Sequence, residues 1–164
     1  MTTTPSPSPS PTPTPSPSAS GTDSGEDPAV TAVQTTLAAE HAAVFVYGVL
    51  GGQTSQSGSP ALYAAVTDAY TVHRSRRDEL MARLHAAGAQ PVAAEPGYGL
   101  PADLGTPAAV SARAREIEEA AAATYAYLIA SSTDDTRSWA IDALLDAALR
   151  VLDFGGRPDR LPGL

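Results

Sequence analysis

Four side chains in this sequence are of types that hold protons or metal ions, and each falls midway along an apolar helical pattern. They are Glu40, His73, Glu118 and Asp142, and Arg77 follows His73 by one helical turn. Glu40 is the only charged residue between Pro28 and Thr67. It lies on the stripe between Leu37 and Val44, so its carboxylate is expected to face inward. A bare charge in a core must be paired or must coordinate a cation. One arrangement that meets this demand is a hydrogen-bonded network of Glu40, His73, Arg77, Tyr70 and Glu118. There the Arg77 fork or His73 takes the Glu40 carboxylate, and the hydroxyls of Tyr47, Tyr70 and Tyr125 fill the remaining acceptors. The other is a single iron, manganese or zinc ion on Glu40, His73, Glu118 and Asp142, since carboxylate and imidazole suit those metals. Arg77 would place a fixed positive charge where the ion should sit, so the network without a cofactor is the leading expectation.

Four helices must position these groups. Asp27-Pro28, Ser59-Pro60 and Thr106-Pro107 each set a capping side chain before a proline that suits the first helical position. A fourth start is expected at Asp134 or Asp135. Helix 1 is predicted over about 28–50, stopping at Gly51-Gly52. Helix 2 is predicted over 60–87, with Leu62, Val66, Tyr70, His73, Arg77, Leu80 and Leu84 on one face and Asp68 on the solvated one. Helix 3 is predicted over 107–130 on Val110, Ala114, Ile117, Ala121, Tyr125 and Leu128. Helix 4 is predicted over 135–154 on Ile141, Leu144, Leu145, Ala148 and Leu152. Trp139 is expected near the bundle end, and Leu161 and Leu164 offer apolar contacts for a tail that folds back. His41 is expected in a helix seam or dimer contact, and His85 at the surface. Short links join helices 1–2 and 3–4, whereas Gly88 to Thr106 is a long, Pro- and Gly-rich connection. Two hairpins joined by one long crossover make the ferritin-like form of the antiparallel four-helix bundle.

Residues 1–27 carry alternating proline with Ser and Thr, a disordered tail with an extended path; residues 28–164 form the bundle. The first residues lack a basic start and an apolar run, so no export signal is read there. The chain is expected in the cytoplasm if its start is as written, and outside or on the surface if an upstream signal has been lost. Cysteine is absent, which removes disulfides and thiolate chemistry, and all ten basic residues are Arg. A net charge of −8 argues against nucleic-acid binding. Helix 1 is long enough to span a bilayer, but an acid at mid-membrane costs roughly 2.5–3.5 kcal/mol and no span is predicted. No phosphate loop or nucleophile elbow is present.

The stretches LAAEHAAVFVYGVLGG, HRSRRDEL, AAEPGYGLP and EIEEAAAATYAYLIA resemble an uncharacterised ferritin-like family of bacterial proteins, over residues 29–164. The resemblance implies the bundle fold and an inward Glu–His/Arg motif, with no activity attached. Ferritin-like di-metal proteins place a Glu on each of two helices and Glu-x-x-His on the other two. Here the helix 2 Glu is replaced by Tyr70, and the helix 4 His by Leu145, so ferroxidase chemistry is not implied. The expected function is a non-catalytic interaction or ligand-binding module, pairing as a homodimer by analogy with other bundles. A metal-dependent oxidoreductase with an incomplete site is the alternative, and a carrier of a small apolar ligand is a third reading.

Overall fold

The computed structural model describes Met1 and residues 27–164. The Pro/Ser/Thr-rich segment, predicted as a tail, lies outside the described residues. Those residues form four helices: α1 (Pro28–Gln53), α2 (Pro60–Ala86), α3 (Pro107–Ser131) and α4 (Asp134–Asp153). The proline starts hold, with capping bonds at two of the three. Asp27 Oδ1 accepts from the Ala29 N–H at 2.9 Å, and Thr106 Oγ1 from the Ala109 N–H at 3.2 Å. Ser59 makes no side-chain capping bond. Contrary to expectation, α1 does not stop at Gly51-Gly52. It carries both glycines into its last turn, and Thr54 closes it by donating to the Leu50 carbonyl at 2.7 Å.

α1 packs on α2 and on α3, and α3 packs on α4. The core divides into two ends. One gathers Leu50, Val66, Val110, Ala114 and Phe154; the other gathers Leu37, Leu80, Leu84, Leu128 and Ala140. Between them lies the polar group described below. The long connection runs beside α1 from one end to the other. Gln34 holds it at Gln90 and Val92, His41 donates to the Val92 carbonyl at 3.1 Å, and Phe45 meets Tyr98 ring to ring. Leu104 then enters the Leu50 cluster. His41 thus serves this connection instead of a helix seam. α1 alone among the described residues is long and apolar enough to cross a membrane by length and composition. Its inward face is taken up by α2 and α3.

Two sequence expectations of facing are corrected. α4 buries Ala140, Ala143, Ala147 and Val151, and leaves Ile141, Leu145, Leu149 and Leu152 outside. The small residues win because they let α4 approach the Ala121–Ala122 stretch of α3 closely. The C-terminal segment does fold back, but not through Leu161 and Leu164, which are exposed. It docks through Gly163, whose backbone lies against the Ala122 carbonyl with φ at +85°.

That docking leaves no room for a side chain. Gly163→Ala is expected to release the segment, because a Cβ would overlap the Ala122 backbone and the left-handed φ itself costs about 1–2 kcal/mol. Denaturant unfolding, with limited proteolysis of the C-terminus, reads the change; equal stability and equal cleavage in parent and variant would contradict it.

Candidate functional site

His73 is fully buried at the centre of the bundle, and both of its ring nitrogens face carboxylates. Nδ1 is 2.7 Å from Glu40 Oε2, across from α1, and Nε2 is 3.2 Å from Glu118 Oε1, across from α3. Neither carboxylate reaches water to any extent. Two tyrosines close the group. Tyr47 donates to Glu118 Oε1 at 2.5 Å, and its ring stacks on the imidazole at 5.2 Å. Tyr125 donates to Glu40 Oε1. The second oxygen of Glu118, Oε2, is buried and has no protein partner.

From Tyr125 the network continues outward to α4. Arg76 donates to the Tyr125 hydroxyl at 3.3 Å and to Asp146 Oδ2 at 2.7 Å. Arg150 donates to the same Asp146 oxygen at 2.8 Å and to Asp68 Oδ2 at 2.8 Å. So α2 and α4 are bridged by arginine forks. Arg83 reaches Thr136 and lies over the Trp139 ring, which meets Tyr125 edge-on.

The electrostatics follow from this geometry. Burial alone would lower the His73 pKa. The hydrogen bonds to Glu118 and Glu40, and their negative charges, outweigh burial and raise it to about 9. His73 is therefore an imidazolium at neutral pH, donating from both nitrogens. Burial, followed by the Glu118 charge, pushes the Tyr47 hydroxyl far above its usual range. Burial and the Glu40 charge do the same to Tyr125. Burial works against the Asp146 carboxylate, but Arg150 and Arg76 hold its pKa below the usual value.

Glu40, His73 and Glu118, which the sequence singled out, come together. Arg77 does not join them. It lies partly exposed against its neighbour Asp78, and Arg76 takes the inward place. The inward face of α2 runs Val66, Ala69, His73, Arg76, Leu80, with steps of three where the sequence reading took four. The same slip removes Tyr70, which is half-buried beneath Arg74 and makes no bond to the network. Asp142 is exposed on the far side of α4. Asp146 and Asp68, read as ordinary surface or not singled out at all, are the carboxylates that α4 and α2 contribute. Nothing in the residue types separates Arg76 from Arg77; only the packing of Ala69 in place of Tyr70 sets the phase.

These residues do not fit a metal centre as they are placed. An ion on His73 would have to displace one of its two imidazole–carboxylate bonds, and position 70 offers a phenol where a carboxylate is needed. No set of three or more His, Asp and Glu among the described residues is arranged to hold an ion. The nearby open space is of another kind. A slot of about 170 Å³ lies between α1 and α3, walled by Ala39, Ala42, Val46, Ile117 and Ala120, with Glu40 and Tyr125 on its inner side.

Two measurements test the site. A folded-state pKa of about 9, against about 6.5 unfolded, means that the His73 contribution is complete below pH 6.5 and is lost as the pH rises through 9. It amounts to something on the order of 3 kcal/mol. Unfolding free energy is expected to fall across that window in the parent and to stay level in His73→Gln; a level parent would contradict the imidazolium. Arg76→Met is expected to cost about 1–3 kcal/mol, and Arg77→Met no more than about 0.5 kcal/mol.

Comparison with solved structures places a relative beside this arrangement. A conserved hypothetical protein, rv2844, from Mycobacterium tuberculosis is 28% identical, with a TM-score of 0.71 over 78% of this chain and 88% of that one. No curated protein matches the chain. Residues 32–164 match the domain of unknown function DUF4439, and the chain belongs to that family.

Proposed function

We propose that this protein is a ferritin-like, non-catalytic binding module that takes a small, largely apolar ligand into the slot between α1 and α3. The observation that carries the reading is the slot itself. Its apolar wall is made of alanines with Val46 and Ile117, and its inner side is formed by Glu40 and Tyr125 of the buried network. A cavity near 150 Å³ is about the size that accepts a benzene ring. Glu40 and the Tyr125 hydroxyl are the polar groups on the inner side, so a ligand with an amine or hydroxyl donor suits that end. The rim carries the Arg113–Glu116 pair, 3.0 Å apart, with Thr36 and Thr124 on the wall.

The network favours binding over turnover. A general acid or base works best with a pKa near the operating pH. His73 stays protonated at neutral pH, and the Tyr47 and Tyr125 hydroxyls are pushed away from it. Both imidazole N–H groups are already given to carboxylates, so neither faces a substrate.

Thermal unfolding with benzylamine, phenol and toluene tests the reading. A ligand at ten times its Kd stabilises by about 1.4 kcal/mol, so at least one probe is expected to raise the Tm of the parent. Ala42→Leu, on the half-buried slot wall, is expected to abolish the shift while keeping a parent-like Tm. No shift in the parent with any probe, or an equal shift in Ala42→Leu, would remove the slot as a site. Stabilisation by manganese or ferrous iron, lost in Glu40→Gln, would replace it with a metal centre.

A further inference from the structure

α4 has two apolar faces, and the bundle uses the weaker one. Inward it presents Ala140, Ala143, Ala147 and Val151. Outward it presents Ile141, Leu145, Leu149 and Leu152, exposed by 41, 55, 62 and 38%. The docked C-terminal segment extends this surface with Pro158 and Pro162. Between helix and segment runs a groove of about 520 Å³, lined by Leu145, Leu149, Leu152, Pro158 and Pro162. A continuous apolar surface of this kind on a chain of net charge −8 marks an interaction site.

We propose that this face pairs with the same face of a second copy of the chain, with the two α4 helices antiparallel. Three observations choose that occupant. First, the apolar pattern reads alike in both directions. A two-fold axis between Asp146 and Ala147 sets Ile141 opposite Leu152, Leu144 opposite Leu149, and Leu145 opposite Ala148. A two-fold contact demands such self-complementarity. The spacing 141, 145, 148, 152 is also the four–three–four step of a helix–helix seam, about 17 Å long at the rise of an α-helix.

Second, the surface holds both a projection and a recess. The Leu145 and Leu149 side chains, more than half exposed, form the helix-side wall of the groove whose other wall is the C-terminal segment. Antiparallel pairing lets the leucines of each copy enter the groove of the other. Third, charge does not oppose the contact locally. Of the three charged residues between positions 141 and 152, Asp146 and Arg150 bond each other, and both are engaged with α2 through Arg76 and Asp68. On the helix only Asp142 is left over, and the groove adds one residue of each sign, Asp159 and Arg160. The segment 2–26 is an unsuitable cover, because it contains no Val, Ile, Leu, Met or aromatic residue.

Sedimentation velocity of the full chain across 2–200 µM, on the order of typical loading concentrations, tests the pairing. The expected result is a shift with concentration from a 16.7 kDa species to one of twice that mass. Leu145→Glu combined with Leu149→Glu is expected to hold the chain at the single mass while its helical circular dichroism and Tm stay close to the parent. Phe45→Glu, at an exposed aromatic on α1, is expected to leave the dimer intact. If the double glutamate variant loses its helical signal, Leu145→Ala and Leu149→Ala singly should each weaken the dimer by tenfold or more. A parent of single mass at every concentration overturns the proposal, and so does a dimer that is indifferent to positions 145 and 149. A dimer that Phe45→Glu disrupts equally places the contact elsewhere.

Discussion

One imidazolium held between two carboxylates fixes how this bundle is assembled. His73 donates to Glu40 from one edge and to Glu118 from the other, so α1, α2 and α3 must meet at a single level. Apolar stripes alone do not impose this. Leucine and alanine on neighbouring helices tolerate a slide of one turn, since each residue meets another of similar size. A slide of one turn here would separate a buried charge from its partner, the costliest error a core can make. The net stabilisation from such a group is modest once desolvation is counted, and its larger effect is on register. That is why it sits between the two apolar clusters, with Leu50 and Val66 on one side and Leu37 and Leu80 on the other.

The fourth helix is tied to that level by a different device. α4 has no charged residue in the innermost group. It is connected through Tyr125, Arg76, Asp146 and Arg150, a chain of bonds that passes from complete burial to the surface. Arginine is suited to this because its planar fork serves two acceptors at once and stays charged at any accessible pH. Lysine is absent from the sequence, so every such bridge is made by a guanidinium. The bridge also explains how α2 and α4 associate although their apolar faces are turned mainly to α1 and α3.

Much of this was legible in the residue order. A lone Glu between Leu37 and Val44, a His at the middle of α2 and a Glu beside the α3 stripe are conspicuous because the core pattern around each is otherwise unbroken. The prolines at positions 28, 60 and 107 located three helix starts. What could not be read was phase. Along α2 the apolar pattern fits Tyr70 and Arg77 as well as it fits Ala69 and Arg76, and the two solutions differ by about a quarter-turn of the helix. Size misled in the same way along α4. Large aliphatics read as inward, yet the contact with α3 is governed by how near two backbones come, and alanine permits the closest approach. Gly163 is a further case. Its role depends on the carbonyl of Ala122, far earlier in the chain, which no local pattern reveals.

The two uses of alanine in this bundle bear on what the protein does. On the α3–α4 contact, alanines on both helices close the space and leave the leucines of α4 outside. On the α1–α3 contact, Ala39, Ala42 and Ala120 leave a slot open above Glu40. The difference lies in what fixes the spacing. α4 is free to settle onto α3, because only long arginine side chains tie it to the rest of the network. α1 and α3 are both held by His73, and the imidazole with its two carboxylates sets a minimum separation that small side chains cannot fill. The slot is thus a geometric consequence of the network. Its inner side is formed by Glu40 and Tyr125, both already fixed by the network.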